Sequence, residues 1–99
     1  MGNKFSFQLF KAADLESCLS LILEARKALD REYLEKSLLN KNTFTIVAKK
    51  GAEIIGLISA NTFLSVSEIK ILQVKGSKYV EEGLNENLID ELVRSINEN

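Results

Sequence analysis

Ninety-nine residues, 45% hydrophobic and 27% charged, suffice for one domain around one modest core. A net charge of −1, no histidine and a single cysteine exclude a basic nucleic-acid surface, histidine-dependent nucleophiles, soft-metal sites and an internal disulfide. No apolar run is long enough to span a membrane, and the opening MGNKFSFQLF lacks a signal-peptide core; with one cysteine, the sequence implies a cytoplasmic location.

The chain carries no proline, repeat or linker, so residues 1–99 read as one unit. Phe5–Phe10 alternates, with Phe5, Phe7 and Leu9 on one side, and predicts a short strand. Asp14 offers an N-cap for a helix striped by Leu15, Cys18, Leu19, Ile22, Ala25 and Leu29, broken near Leu29-Asp30. Cys18 lies on that apolar stripe and reads as a packed small hydrophobe. A second helix is predicted over Asp30–Leu39, burying Tyr33, Leu34 and Leu38 and ending at Asn40. Thr43–Lys49 and Glu53–Phe63 predict a hairpin turning at Lys50-Gly51-Ala52. Ser67–Val74 predicts the next strand, and Lys75–Tyr79 a loop. Leu84, Leu88, Leu92 and Ile96 then stripe a final helix.

The stretch Glu68–Ile96, with Leu72-Gln73-Val74 ending a strand and Tyr79–Leu88 forming a turn into a helix, resembles the acyl-CoA-binding core of the Gcn5-related N-acetyltransferases (GNAT family). Two other segments are similar to the family's opening and central hairpin: Leu9–Leu15, and Phe44–Ala48 answered by Ile54–Ser59. The order β-α-α-β-β-β-α is that of the first two-thirds of the GNAT fold. The resemblance therefore implies an α+β domain with a truncated mixed sheet flanked by helices. It also implies a further strand and helix beyond the last one here, and residues 1–99 supply neither.

By the same resemblance Glu68 takes the place of a strand glutamate used as general base. Backbone groups at Leu72 and Val74 take the place of those facing the thioester and pantetheine. Val80, Gly83, Leu84 and Asn85 fall on the family's pyrophosphate turn. Only Gly83 keeps its residue type, Val80 and Asn85 replacing a basic or amide residue and a small one. A helix N-terminus attracts phosphate through unpaired N–H groups and about +0.5 of partial charge. Here residues 81–99 hold Glu81, Glu82, Glu86, Asp90, Glu91 and Glu98 against Arg94, a local net of −5 that opposes a diphosphate. The sequence thus implies a GNAT-like half-domain without acyl transfer or cofactor, working by self-association or partner binding. The alternatives are an acetyl-CoA-dependent N-acetyltransferase completed by another chain, or an unrelated α+β binding module. The expected partner is a second copy, through the Ser67–Val74 edge or the last helix, with no nucleic acid and no membrane.

Overall fold

A computed structural model describes residues 5–63 and 66–98; the side chains of residues 62, 63, 66–68 and 98 lie outside the description. β1 (Ser6–Leu9) leads through a 3-10 turn (Ala12–Asp14) into α1 (Leu15–Ala25) and α2 (Arg31–Leu39). β2 (Thr43–Lys50), β3 (Glu53–Phe63) and β4 (Val66–Val74) follow, then a short α3 (Gly76–Glu81) and a long α4 (Leu84–Glu98). The strands lie in the order β1-β2-β3-β4. All three pairings are antiparallel, where the resemblance implies a mixed sheet. For β2 and β3 the reason is local: their connection is a tight turn with Gly51 at φ 66°, and such hairpins join only antiparallel strands.

The sheet is covered on both faces. Cys18, Leu19, Leu21 and Ile22 of α1 and Leu34 and Leu38 of α2 pack on Val47, Ile54, Leu57 and Ile71. On the opposite face Leu84, Leu88 and Leu92 of α4 pack on Ile46, Ala48, Ile55, Ile58 and Val74. Strand alternation explains most of this, since successive side chains point to opposite faces. Two bulges do the rest. Ala48 pairs with Gly56 and Lys49 with Ile54, so Ile55 is the extra residue, and neighbouring Ile55 and Gly56 both face α4 while Ile54 enters the other core. A second bulge places Lys70 between Ile69, opposite Ala60, and Ile71, opposite Ser59.

Several local expectations change. Asp14 does not cap α1 with its side chain; it ends the 3-10 turn, buried, and accepts from the Lys11 N–H at 3.0 Å. Its other oxygen lies 3.4 Å from Lys49 Nζ, which ties the start of α1 to β2. Asp30 does cap α2, accepting from the Tyr33 N–H at 3.1 Å, a contact type that stabilises by about 1 kcal/mol. Tyr33 itself is 60% exposed, because the buried stripe of α2 is Leu34 and Leu38, four apart, and Tyr33 sits a residue to the side. Leu29 lies beyond the end of α1, and Leu9 is exposed. Cys18 is fully buried, and burial, with Asp14 beside it, pushes its thiol up to about 12. It is a packed, unreactive side chain.

α4 approaches the sheet closely at Gly56. A Cβ built there would lie 3.2 Å from both Leu84 Cδ2 and Leu88 Cδ1 and 3.4 Å from the Gln73 carbonyl oxygen. Glycine is required for close approach, not for backbone conformation. Gly56→Val is therefore expected to lower stability by about 1–3 kcal/mol through overpacking. Gly56→Ala should cost less, because the two leucine side-chain ends can shift slightly. Urea unfolding of the two variants checks the ranking.

Candidate functional site

The residues singled out in the sequence fall into three groups. Leu72, Val74 and Leu84 join the apolar cluster between the end of β4 and the start of α4. Val80, Gly83 and Asn85 lie at the joint between α3 and α4: Val80 on the exposed side of α3, Asn85 half-buried in the first turn of α4. Glu68 belongs to neither group. It stands on β4 opposite Asn61, its side chain outside the described residues. Six residues separate it from Val74, roughly 20 Å along an extended strand.

The joint differs from the loop read in the sequence. Gly76–Glu81 is a helix, so Glu81 ends α3 and Glu82 caps its C-terminus; neither lies in the first turn of α4. Gly83 serves both helices. Its φ of 85° gives α3 the left-handed stop that glycine adopts without steric cost. Its N–H donates to the Val80 carbonyl at 3.0 Å, and its own carbonyl accepts the first bond of α4, from the Asn87 N–H at 3.0 Å. Glu86 is the acid of the first turn of α4, and its Oε1 lies 3.9 Å from where a Gly83 Cβ would be. A carboxylate three residues into a helix complements the macrodipole.

Two cations of this end have partners. Lys75, just before α3, pairs with Glu53 of β3, and that hydrogen bond and charge attraction push its ammonium above the ordinary range. Lys50 lies over the Tyr79 ring at 5.8 Å, and Phe5 meets Tyr79 edge-on at 5.7 Å. These contacts anchor α3 to β1 and the β2–β3 turn.

Among the described residues no strand pairs with the outer side of β4. The Lys75 N–H donates inward to the Ile55 carbonyl at 2.8 Å. Alternation then turns the backbone groups of Gln73 and Ile71 inward and those of Leu72 and Val74 outward. The Gln73 side-chain amide donates to the outward Val74 carbonyl at 3.2 Å. Ile71, read in the sequence as an edge residue, is buried in the α1/α2 core, because the bulge at Lys70 sets its side chain to that face.

A cleft of about 370 Å³ opens between α2 and the α1/α2 face of β3 and β4. It was not legible in the sequence. Its lining comes from the connection between α1 and α2, from α2 and its end, and from three strands, and only the alternation of Thr43, Thr45, Ser59 and Asn61 hinted at a polar patch on that face.

This geometry has close counterparts. The chain superposes with TM-score 0.79 on a ribosomal-protein-alanine N-acetyltransferase from Brucella melitensis biovar Abortus 2308, at 16% identity, covering 95% of this chain and 72% of that one. The aminoglycoside 6'-N-acetyltransferase from Enterococcus faecium gives TM-score 0.81 at 16% identity, covering 94% and 55%. The PaiA N-acetyltransferase from Thermoplasma acidophilum, in complex with coenzyme A, gives 0.77 at 16% identity, covering 99% and 74%. No family model and no curated protein matches the chain. At these identities the likeness shows the fold: this is the α+β fold of the GNAT acetyltransferases, and it spans part of the length of each of them.

Gly83→Ala tests the shared joint. Forcing a Cβ into the left-handed region is expected to cost about 1–2 kcal/mol. The loss should appear as a lower thermal midpoint and weaker amide protection at Asn87.

Proposed function

We propose that this GNAT-fold chain works by association through the outer edge of β4, and that residues 1–99 do not transfer acyl groups by themselves. The observation that carries the reading is the outward backbone of Leu72 and the outward Val74 N–H, on the last strand of the described sheet, the Val74 carbonyl already accepting from the Gln73 side chain. An unpaired strand edge is a ready template for another strand. The bulge at Lys70 divides this one, which leaves the run to Val74 as the segment suited to pairing. The strand that completes the sheet would come from outside residues 1–99, and a second copy is the simplest source. The near-neutral charge supports a protein partner over nucleic acid, and a buried lone cysteine supports a reducing compartment such as the cytoplasm.

The reading against acyl transfer rests on the α3–α4 joint. Glu86 puts a carboxylate in the first turn of α4, Lys75 is engaged by Glu53, and the Val80 side chain offers no donor. The second reading, an acetyl-CoA-dependent N-acetyltransferase completed by another segment, draws on the same open backbone. Leu72 and Val74 turn outward where the resemblance puts thioester and pantetheine contacts, with Gly83, Leu84 and Asn85 beyond them and Glu68 as base. The coenzyme A held by the Thermoplasma acidophilum structure on this fold supports that reading.

Hydrogen exchange decides whether the edge pairs. At ~100 μM the Leu72 and Val74 amides should be protected alongside those of Ile71 and Gln73, and dilution to ~1 μM should release the first two alone. A monomeric mass by sedimentation at ~100 μM, with fast exchange at Leu72 and Val74, would contradict self-association.

Coenzyme A titration separates the two readings. Binding is expected to be weaker than ~1 mM, and Glu86→Gln should strengthen it by removing the competing carboxylate. Saturation at the α3–α4 joint by ~10 μM ligand would overturn the non-catalytic reading and favour the enzyme.

A further inference from the structure

α3 holds its place by few contacts. None of its six residues is buried, and Gly76, Ser77, Tyr79 and Val80 are weak helix formers. A helix this short does not sustain itself in water. Among the described residues, the last backbone bond to the sheet runs from the Lys75 N–H to the Ile55 carbonyl, and the first bond of α4 starts at the Gly83 carbonyl. Between them the Glu82 N–H donates to Lys78 and the Gly83 N–H to Val80, both inside the segment. Opening α3 therefore breaks no backbone bond of the sheet and none of α4.

Both joints are glycines in the left-handed region, Gly76 at φ 78° and Gly83 at φ 85°. A Cβ at Gly76 would meet nothing within 4 Å, and one at Gly83 only Glu86 Oε1, so packing does not lock either turn. The closed position depends on a latch. The Tyr79 ring meets Phe5 edge-on, lies under Lys50 Nζ, and packs against the α4-side core. Lys75 adds its exposed pair with Glu53, a contact that salt screens. The same segment also suits a strand. Lys75 is still extended, at φ −80° and ψ 99°, and Tyr79 and Val80 favour β-structure. Carried past the joint, the alternation that turns Leu72 and Val74 outward would turn Gly76 and Lys78 outward too.

We propose that α3 is a hinged strap. Latched by Tyr79, it ends the β4 edge at Val74; released, it continues β4 and adds Gly76 and Lys78 to the outward positions Leu72 and Val74. The strap thereby regulates pairing of that edge with a second copy. Its opening stands by itself, while the regulatory role rests on the pairing proposed above. Pairing over the longer edge needs both copies open, so each contributes its open fraction to the apparent affinity. A rise of about tenfold in that fraction tightens the dimer by up to about a hundredfold.

Amide exchange on the whole chain at ~1 μM reads the opening. The Glu82 and Gly83 amides should exchange at least about tenfold faster than those of Lys75 and Asn87. Tyr79→Ala removes both ring contacts and should speed Glu82 and Gly83 about tenfold more, leaving Lys75 unchanged. Tyr79→Phe keeps the ring and should restore the original rates. By sedimentation, Tyr79→Ala should lower the dimer dissociation constant by about ten- to a hundredfold. One common exchange rate for all four amides, or no response of Glu82 and Gly83 to Tyr79→Ala, would overturn the strap. A dimeric wild type whose dissociation constant is unchanged or raised by Tyr79→Ala would overturn the regulatory role alone. Wild type and variant both monomeric at ~100 μM would overturn that role together with the pairing, and the exchange rates would still decide the strap.

Discussion

Every layer of this molecule is fixed against β3, because that strand is buried on both faces. Ile54, Leu57 and Ser59 look toward α1 and α2, while Ile55, Gly56, Ile58 and Ala60 look toward α4. A strand covered twice needs a layer on each side, and the chain supplies them in order: α1 and α2 before the hairpin, α4 after β4. The two cores meet only through the backbone of the sheet. The bulge at Ile55 keeps Ile55 and Gly56 together on the α4 side and Ile54 on the other, since strict alternation back from Leu57 would have sent Ile55 to the α1/α2 face and Ile54 to the α4 face. Removing either helical layer would leave half of the strand's apolar surface in water.

The fold was legible where periodicity is strong. Leu84, Leu88 and Leu92 announce α4, and the β-branched and aromatic run of Thr43–Lys50 announces β2. The misses have physical causes. α3 spans six residues, buries none of them, and so leaves no apolar period to read; Tyr79 and Phe5 hold it by tertiary contact. Tyr33 looked like core because aromatics usually are, yet one position along a helix is about 100° around its axis. Asp14 was read as a helix cap from its place before Leu15, but its partner Lys49 is distant in sequence.

The candidate site was legible only in outline. The resemblance gathered Leu72, Val74, Leu84, Val80, Gly83 and Asn85 at one end of the sheet, and the structure places them there in two adjoining groups. Which backbone groups face outward on β4 depends on the bulge at Lys70 and the bond from Lys75 to Ile55, and no composition rule reveals either. The cleft under α2 was hidden for a related reason. Its floor is made by cross-strand pairs, so Thr45 and Ser59 become neighbours only once the hairpin register is set.

Only Glu82 and Gly83 stand between the two helices, and Gly83 stops one and starts the next. The phase of α4 is consequently tied to the length of the segment after Val74. A single inserted or deleted residue there would turn α4 by about 100° relative to β4. Asn85 or Glu91 would then face the sheet where Leu84 and Leu92 now sit, and Gly56 would confront a side chain of a different shape. Among relatives of this chain, length changes should therefore be better accepted between α1 and α2 than between β4 and α4. The connection that can vary least is also the one on which an anion site on this fold would depend.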